Sequence, residues 1–239
     1  MKIYMDLHTH TVACGHGYST LKENIEAAKE RDLVYLGLSE HAPAAPGAPK
    51  PVFFSNYKCI PREYGNLHLL CGVEANIMDY EGSLDLEQHL LERMDYVIAS
   101  MHVVCVKPGS REENTLASIH AMENPCVRIL GHPDDSRYPL DYEELVKAAK
   151  REKVALELNN SSLNPQNPRQ DVRENIKTML KTCKKYDVPI LMGTDSHICY
   201  TIGRFDEALA VLEEVDFPEE LILNGDPDNI NKIILAKSL

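Results

Sequence analysis

Cationic side chains are in short supply. Lys and Arg number 25 against 37 Asp and Glu, a formal net charge of −12 with histidine taken as neutral. A broad cationic face for nucleic acid is therefore not expected. Long apolar runs are missing too. No window approaches a membrane-spanning length, so no membrane partner is expected. The opening MKIYMDLHTHT does not read as a secretory signal, because its apolar run is broken at Asp6 and His8. The seven cysteines (Cys14, Cys59, Cys71, Cys105, Cys126, Cys183 and Cys199) are odd in number and scattered, without a C-x-x-C pair. That argues against a disulfide framework and a structural zinc knot, and the expected location is a reducing cytoplasm. Repeats, low-complexity tracts and linkers are lacking as well. Residues 1–239 read as a single domain, with length enough for one α/β barrel.

What is present is an alternation of short apolar runs with amphipathic stretches, which predicts parallel strands joined by helices. Strand candidates fall at 3–6, 34–39, 67–74, 96–100, 127–130, 154–158 and 190–193. They are nearly continuous apolar segments, as in strands covered on both faces. Capping-box patterns at Thr20–Glu23 and Asp141–Glu144 start two of the helices, and Asp226-Pro227 opens the last one. Seven such units predict a closed barrel, with its chemistry on loops at the carboxyl ends of the strands. The longest of these loops, 41–61, reads as a lid or as a plain surface excursion.

The ten histidines decide the function. His8 and His10 end the first strand and His16 lies in the loop after it. His41 ends the second strand, His102 the fourth, His132 the fifth and His197 the seventh. Seven of the ten thus choose one edge of the sheet, joined there by Glu74 and Asp195. In His8-x-His10 and Asp195-x-His197, residues two apart point to the same side of an extended chain and can grip one ion together. His68, His89 and His120 fall inside a strand or in helical stretches and read as packing or solvated residues.

Nine candidate ligands (His8, His10, His16, His41, Glu74, His102, His132, Asp195 and His197) exceed the needs of one tetrahedral ion and suit about three. Glu74 is placed to bridge two of them. Imidazoles with two carboxylates and no thiolate favour zinc first, with manganese or iron as alternatives. Three divalent ions against two carboxylates leave a net positive site inside an acidic protein, which favours a phosphate dianion as substrate.

These residues resemble the PHP (polymerase and histidinol phosphatase) superfamily, most closely its stand-alone YcdX-like phosphatases. The segments that carry the likeness are DLHTHT at 6–11, HGYSTL at 16–21, SEH at 39–41 and GVEANI at 72–77. SMH at 100–102, GHP at 131–133, LELNNSS at 156–162, GTDSH at 193–197 and VDFPEELILN at 215–224 follow in order. The resemblance implies a distorted (β/α)7 barrel and a three-metal site. By position, His8, His10, Glu74 and Asp195 would hold the first ion. Glu74, His102 and His132 would hold the second, and His16, His41 and His197 the third.

The expected chemistry is hydrolysis of a small phosphate monoester by a metal-activated water, with Glu74, Asp195 and His197 most directly involved. Its partner is a small phosphorylated metabolite. Asn159, Asn160, Arg137 and Arg204 are candidate substrate contacts, and Asp6 is a candidate to orient an imidazole N–H. Cys14, Cys105 and Cys199 lie near ligands in sequence and read as small loop residues or as sites where oxidation would disturb the centre. Four rivals stand beside this reading: a histidinol-phosphate phosphatase, an amidohydrolase-type C–N hydrolase, a nuclease-like phosphodiesterase and a non-enzymatic metal-binding protein.

Overall fold

A computed structural model describes residues 1–234. It is a mixed α/β fold with nine strands and eight α-helices among those residues. The strands are β1 (Met5–Asp6), β2 (Tyr35–Leu38), β3 (Glu63–Tyr64), β4 (Leu67–Cys71), β5 (Val73–Asn76), β6 (Val97–Ser100), β7 (Val127–Leu130), β8 (Ala155–Asn159) and β9 (Ile190–Gly193). The helices are α1 (Leu21–Glu30), α2 (Pro51–Ser55), α3 (Gln88–Leu91), α4 (Arg111–Glu123), α5 (Tyr142–Glu152), α6 (Val172–Tyr186), α7 (Asp206–Glu214) and α8 (Ile230–Ile234). No helix among the described residues is long and apolar enough to cross a membrane.

Two sheets form, in the orders β1-β2-β4-β3 and β5-β6-β7-β8-β9. Every pairing is parallel except the β3–β4 hairpin. Isolated parallel bridges, Thr9 with Ser196 and His41 with Glu74, connect the two sheets near the carboxyl ends of their strands. The 67–74 segment, expected as one strand, is split at Gly72. Its first half pairs with β2 and its second half with β6. The reason is steric. A Cβ at Gly72 would lie 2.5 Å from Cζ of Tyr96, whose buried ring fills the bend. The Tyr96 hydroxyl donates to the Leu7 carbonyl (2.7 Å), one residue before His8. Gly72→Ala should therefore lower stability by about 1–3 kcal/mol, read as a fall in the urea midpoint. A midpoint unchanged from wild type would mean that the bend does not depend on this packing.

One apolar cluster lies between sheets and helices. A second gathers Met5, Leu7, Tyr96, Ile98, Ile129 and Leu191 with Leu223, Ile230 and Ile233. Local signals place the helices. Thr20 and Glu23 form the expected reciprocal capping box on α1. Asp141 caps α5 by accepting from the backbone N–H groups of Glu143 and Glu144. Glu144 does not complete the expected box, because its carboxylate pairs with Lys147 at 3.0 Å. Ser110 and Glu113 form an unanticipated box on α4. Asp226-Pro227 opens a 3-10 turn that runs into α8. The 41–61 stretch is no open loop. It carries α2 and a 3-10 turn, and buries Phe54 and Tyr57, whose rings meet edge to face at 5.7 Å.

Candidate metal centre

The strand ends deliver the side chains. Residues 8–11 continue from β1, and Ser39 and Glu40 from β2 fix them. Ser39 Oγ accepts from the Thr9 N–H (3.0 Å), and the Glu40 carboxylate accepts from the Thr11 N–H (3.0 Å). Glu74 sits within β5 and is fully buried. His102, His132 and Asp195 follow β6, β7 and β9. His132 (φ 30°) and Asp195 (φ 51°) both occupy left-handed backbone. That conformation costs non-glycine residues energy and clusters at functional sites.

The structure gathers the nine sequence candidates into one cluster, in which Glu74 meets five histidines. Its Oε1 lies 3.4 Å from His8 Nε2, 3.3 Å from His102 Nε2 and 2.9 Å from His132 Nε2. Its Oε2 lies 2.6 Å from His41 Nδ1 and 3.6 Å from His10 Nε2. Asp195 Oδ1 is 3.3 Å from His10 Nε2 and 3.6 Å from His8 Nε2. The rings of His10 and His197 stack at 4.3 Å, and those of His16 and His197 at 4.5 Å. Three groups of ligand atoms lie close enough to share an ion: His8, His10 and Glu74; His41, Glu74 and His102; and His16, His41 and His197. His41 thus approaches two groups at once, where the resemblance implies only one. A fourth group adds the buried Cys14 to His10 and His197. Burial raises the Cys14 pKa above its ordinary value.

Burial alone would neutralise these groups, and the pairing decides which ones escape. Burial pushes the Glu74 carboxyl up, but His41, His8 and His102 hold it well below its ordinary value. Asp195 is likewise held down by His8, His10, His197 and Arg169 against the cost of burial. His8 is driven down by burial, yet Glu157, Glu74 and Asp195 together carry it well above its ordinary value. His10 goes the other way: burial and the neighbouring His41 and His197 lower it strongly. His132 falls to about 4 through burial and Arg169. His8 Nε2, His10 Nε2 and His197 Nε2 are buried and make no hydrogen bond. A buried donor or acceptor without a partner is costly, and ring nitrogens converging on two anionic carboxylates fit a cation.

Four of the rings are anchored through Nδ1. His8 Nδ1 donates to Glu157 Oε1 (2.6 Å), and His102 Nδ1 lies 2.7 Å from Asn76 Oδ1. His197 Nδ1 contacts the Asp195 carbonyl (3.0 Å) and His16 Nδ1 the Cys14 carbonyl (3.2 Å). Such partners set tautomer and ring orientation in metal sites. Asp6 does not take this part. Its carboxylate accepts from the Thr194 hydroxyl (2.6 Å) and the Gly203 N–H (3.0 Å), which ties the β1 end to the β9 end. The anchor is Glu157, which sequence reading passed over although it lies in the LELNNSS segment. A glutamate in the middle of an apolar strand is itself the signal, because unpaired carboxylates are almost never fully buried.

A cavity of about 450 Å³ opens over the cluster, walled in part by His16, His102, His132, Arg137, Arg169 and Asp195. Of the four suggested substrate contacts, Arg137 lines it, paired with Asp135 at 2.6 Å. Asn159 lies underneath, its amide donating to Glu157 Oε2 (3.1 Å) and Asp195 Oδ2 (3.3 Å). Asn160 is spent elsewhere, accepting from the Ala208 N–H at the start of α7. Arg204 is exposed and lines a different hollow with Ile3 and Arg31, so it is set aside as a phosphate contact. Arg169 went unnoticed because its loop, 164–171, contains no ligand. It reaches the site through Ser162, Asn159 Oδ1 (3.4 Å) and Asp195 Oδ2 (3.4 Å). His68 and His89 stand apart, paired with Glu63 and Glu87, and His120 contacts the Tyr80 carbonyl (3.1 Å).

Residues 6–161 match the PHP domain, and the chain belongs to that family. It is 45% identical over 237 residues to a protein of Clostridium novyi named probable phosphatase, covering 99% of this chain and 96% of the relative. A protein of Clostridium acetobutylicum with the same name is 44% identical over the same shares. Among solved structures, the histidinol phosphate phosphatase of Lactococcus lactis, complexed with zinc, L-histidinol and phosphate, has a similar fold. Its TM-score is 0.61 at 16% identity, covering 91% of this chain and 95% of that one.

Proposed function

We propose that this protein is a metal-dependent phosphatase that hydrolyses a small phosphate monoester at a trinuclear centre. The observation that carries the reading is the convergence of seven imidazoles and two carboxylates on one point, with Arg137 and Arg169 in the wall of the same cavity. The names of the relatives in Clostridium support the same class of reaction. His8, His10, Glu74 and Asp195 would hold one ion, Glu74, His102 and His132 a second, and His16, His41 and His197 a third. The donor set favours zinc, with manganese or iron as alternatives.

Divalent ions held by these residues would supply Lewis acidity for the attack of water on a phosphate ester. The chain's own residues do the rest. Glu74 and Asp195 bring the negative charge that fixes the ions. Arg169 and Arg137 present guanidinium forks, which suit phosphoryl oxygens by parallel N–H bonds. Arg169 is fixed by Asp195 and Asn159, so little freedom is lost when substrate arrives. The two sheets are read as one distorted (β/α)7 barrel, supported by the Thr9–Ser196 and His41–Glu74 bridges and by the split strand. The full chain is read as one domain acting in the cytoplasm.

The test is hydrolysis of p-nitrophenyl phosphate by metal-loaded protein, followed by a panel of phosphorylated metabolites that includes histidinol phosphate. His10→Ala and Asp195→Ala should each reduce kcat/KM by roughly 10³-fold or more. Undiminished hydrolysis in both variants would sink the assignment. Fewer than three ions per chain by mass spectrometry would sink its trinuclear part. Turnover of lactams or of a labelled single strand, with no phosphate monoester accepted, would favour the amidohydrolase or nuclease reading instead.

A further inference from the structure

A second pocket, of about 300 Å³, lies at the amino-terminal ends of β7, β8 and β9, away from the histidine cluster at their carboxyl ends. Its size is at the lower edge of ordinary small-ligand sites. Apolar walls come from Val154, Val188, Leu223 and Ile233, all buried. Four cations, Arg128, Lys150, Lys153 and Lys232, also line it, and no Asp or Glu does among the described residues. In a chain of net charge −12, such a grouping runs against the overall balance.

The lysines alone would carry little weight. Lys150 and Lys153 stand at the end of α5, where the helix dipole by itself favours cations. Lys150 donates to the Tyr186 carbonyl (2.5 Å) and Lys232 to Asn229 Oδ1 (2.7 Å). Arg128 is different. It is only 8% exposed, within β7. One terminal nitrogen donates to the Pro125 carbonyl (2.7 Å), while the Nε–H is buried with no partner. No carboxylate among the described residues forms an ion pair with it, although a buried guanidinium strongly favours one. Arg128 and the apolar walls line the same pocket.

We infer that this pocket binds a small organic anion, its apolar body against Val154, Val188, Leu223 and Ile233 and its carboxylate or phosphoryl group on Arg128. The lysines that line the same pocket add electrostatic attraction. The site stands independently of the phosphatase reading, because none of its residues belongs to the histidine cluster.

Calorimetric titration of the metal-loaded protein with octanoate, octylphosphonate and 1-octanol tests it. Octanoate represents a carboxylate ligand and octylphosphonate a phosphoryl ligand that is not hydrolysed. At least one anion should bind, about tenfold or more tightly than 1-octanol, and the stronger of the two identifies the head group. Arg128→Met should remove that preference, while His10→Ala should leave it intact. Lys153→Gln and Lys232→Gln, both at exposed positions, should weaken the anion severalfold and serve if the Arg128 variant fails to fold. Equal binding of 1-octanol, no binding of either anion, an unchanged anion affinity in the charge-removing variants, or loss of binding in His10→Ala would each overturn the inference.

Discussion

Glu74→Gln is expected to lower kcat/KM for an aryl phosphate by roughly 10³-fold or more and to reduce the number of bound ions. The reason is positional. The Glu74 oxygens lie within 3.6 Å of ring nitrogens from His8, His10, His41, His102 and His132. No other described carboxylate meets so many of the candidate ligands. Glutamine keeps the volume but loses the anionic charge, and its N–H₂ group would face ring nitrogens that are needed as acceptors. Circular dichroism and elemental analysis on the same sample separate lost metal from lost fold. A folded glutamine variant with wild-type metal content and turnover would remove Glu74 from the centre of the mechanism.

The second large effect is expected at a residue that touches no substrate. Glu157→Gln should weaken metal affinity or activity by about 10–100-fold, the usual range for the partner of a ligating histidine. Glu157 is buried and binds three groups of the site at once. It accepts from His8 Nδ1 (2.6 Å), from the His132 backbone N–H (2.7 Å) and from the Asn159 amide (3.1 Å). Losing its charge frees the His8 ring to adopt the other tautomer, with a proton on the nitrogen that faces Glu74 and Asp195. Nitrogen chemical shifts of His8 would report that tautomer directly. A merely structural role would leave the tautomer unchanged while lowering stability. Unaltered shifts together with unaltered metal affinity would exclude Glu157 as a positioning residue.

The strand pattern and the candidate ligands were legible in the chain because both depend on local order. Parallel strands covered on both faces must be apolar and short, so their ends stand out, and polar residues placed just past those ends are conspicuous. His8, His41, His102, His132 and Asp195 were found on that basis. Glu157 was hidden for the same reason, since its strand read as core. Arg169 had no local mark at all: it stands far along the chain from every ligand, and only folding carries its loop to Asp195. Asn160 and Arg204 show the reverse error. Closeness in sequence to a strand end suggested the site, but one caps α7 and the other lines a separate hollow.

The sequence by itself determined the class of chemistry: which donor atoms are present, that they share one edge of the strands, and that imidazoles dominate among them. Those are properties of residue type and of two-residue periodicity, which the chain carries locally. The tertiary structure decided the rest. It set which nitrogen of each ring faces inward and bent the 67–74 segment around Tyr96, between β4 and β5, so that Glu74 meets five histidines. It also tied the β1 and β9 ends together through Asp6, and buried Arg128 without a partner at the opposite end of the strands. Each of these depends on contacts between residues distant in sequence, where close packing and the low dielectric of the interior assign roles that composition does not reveal.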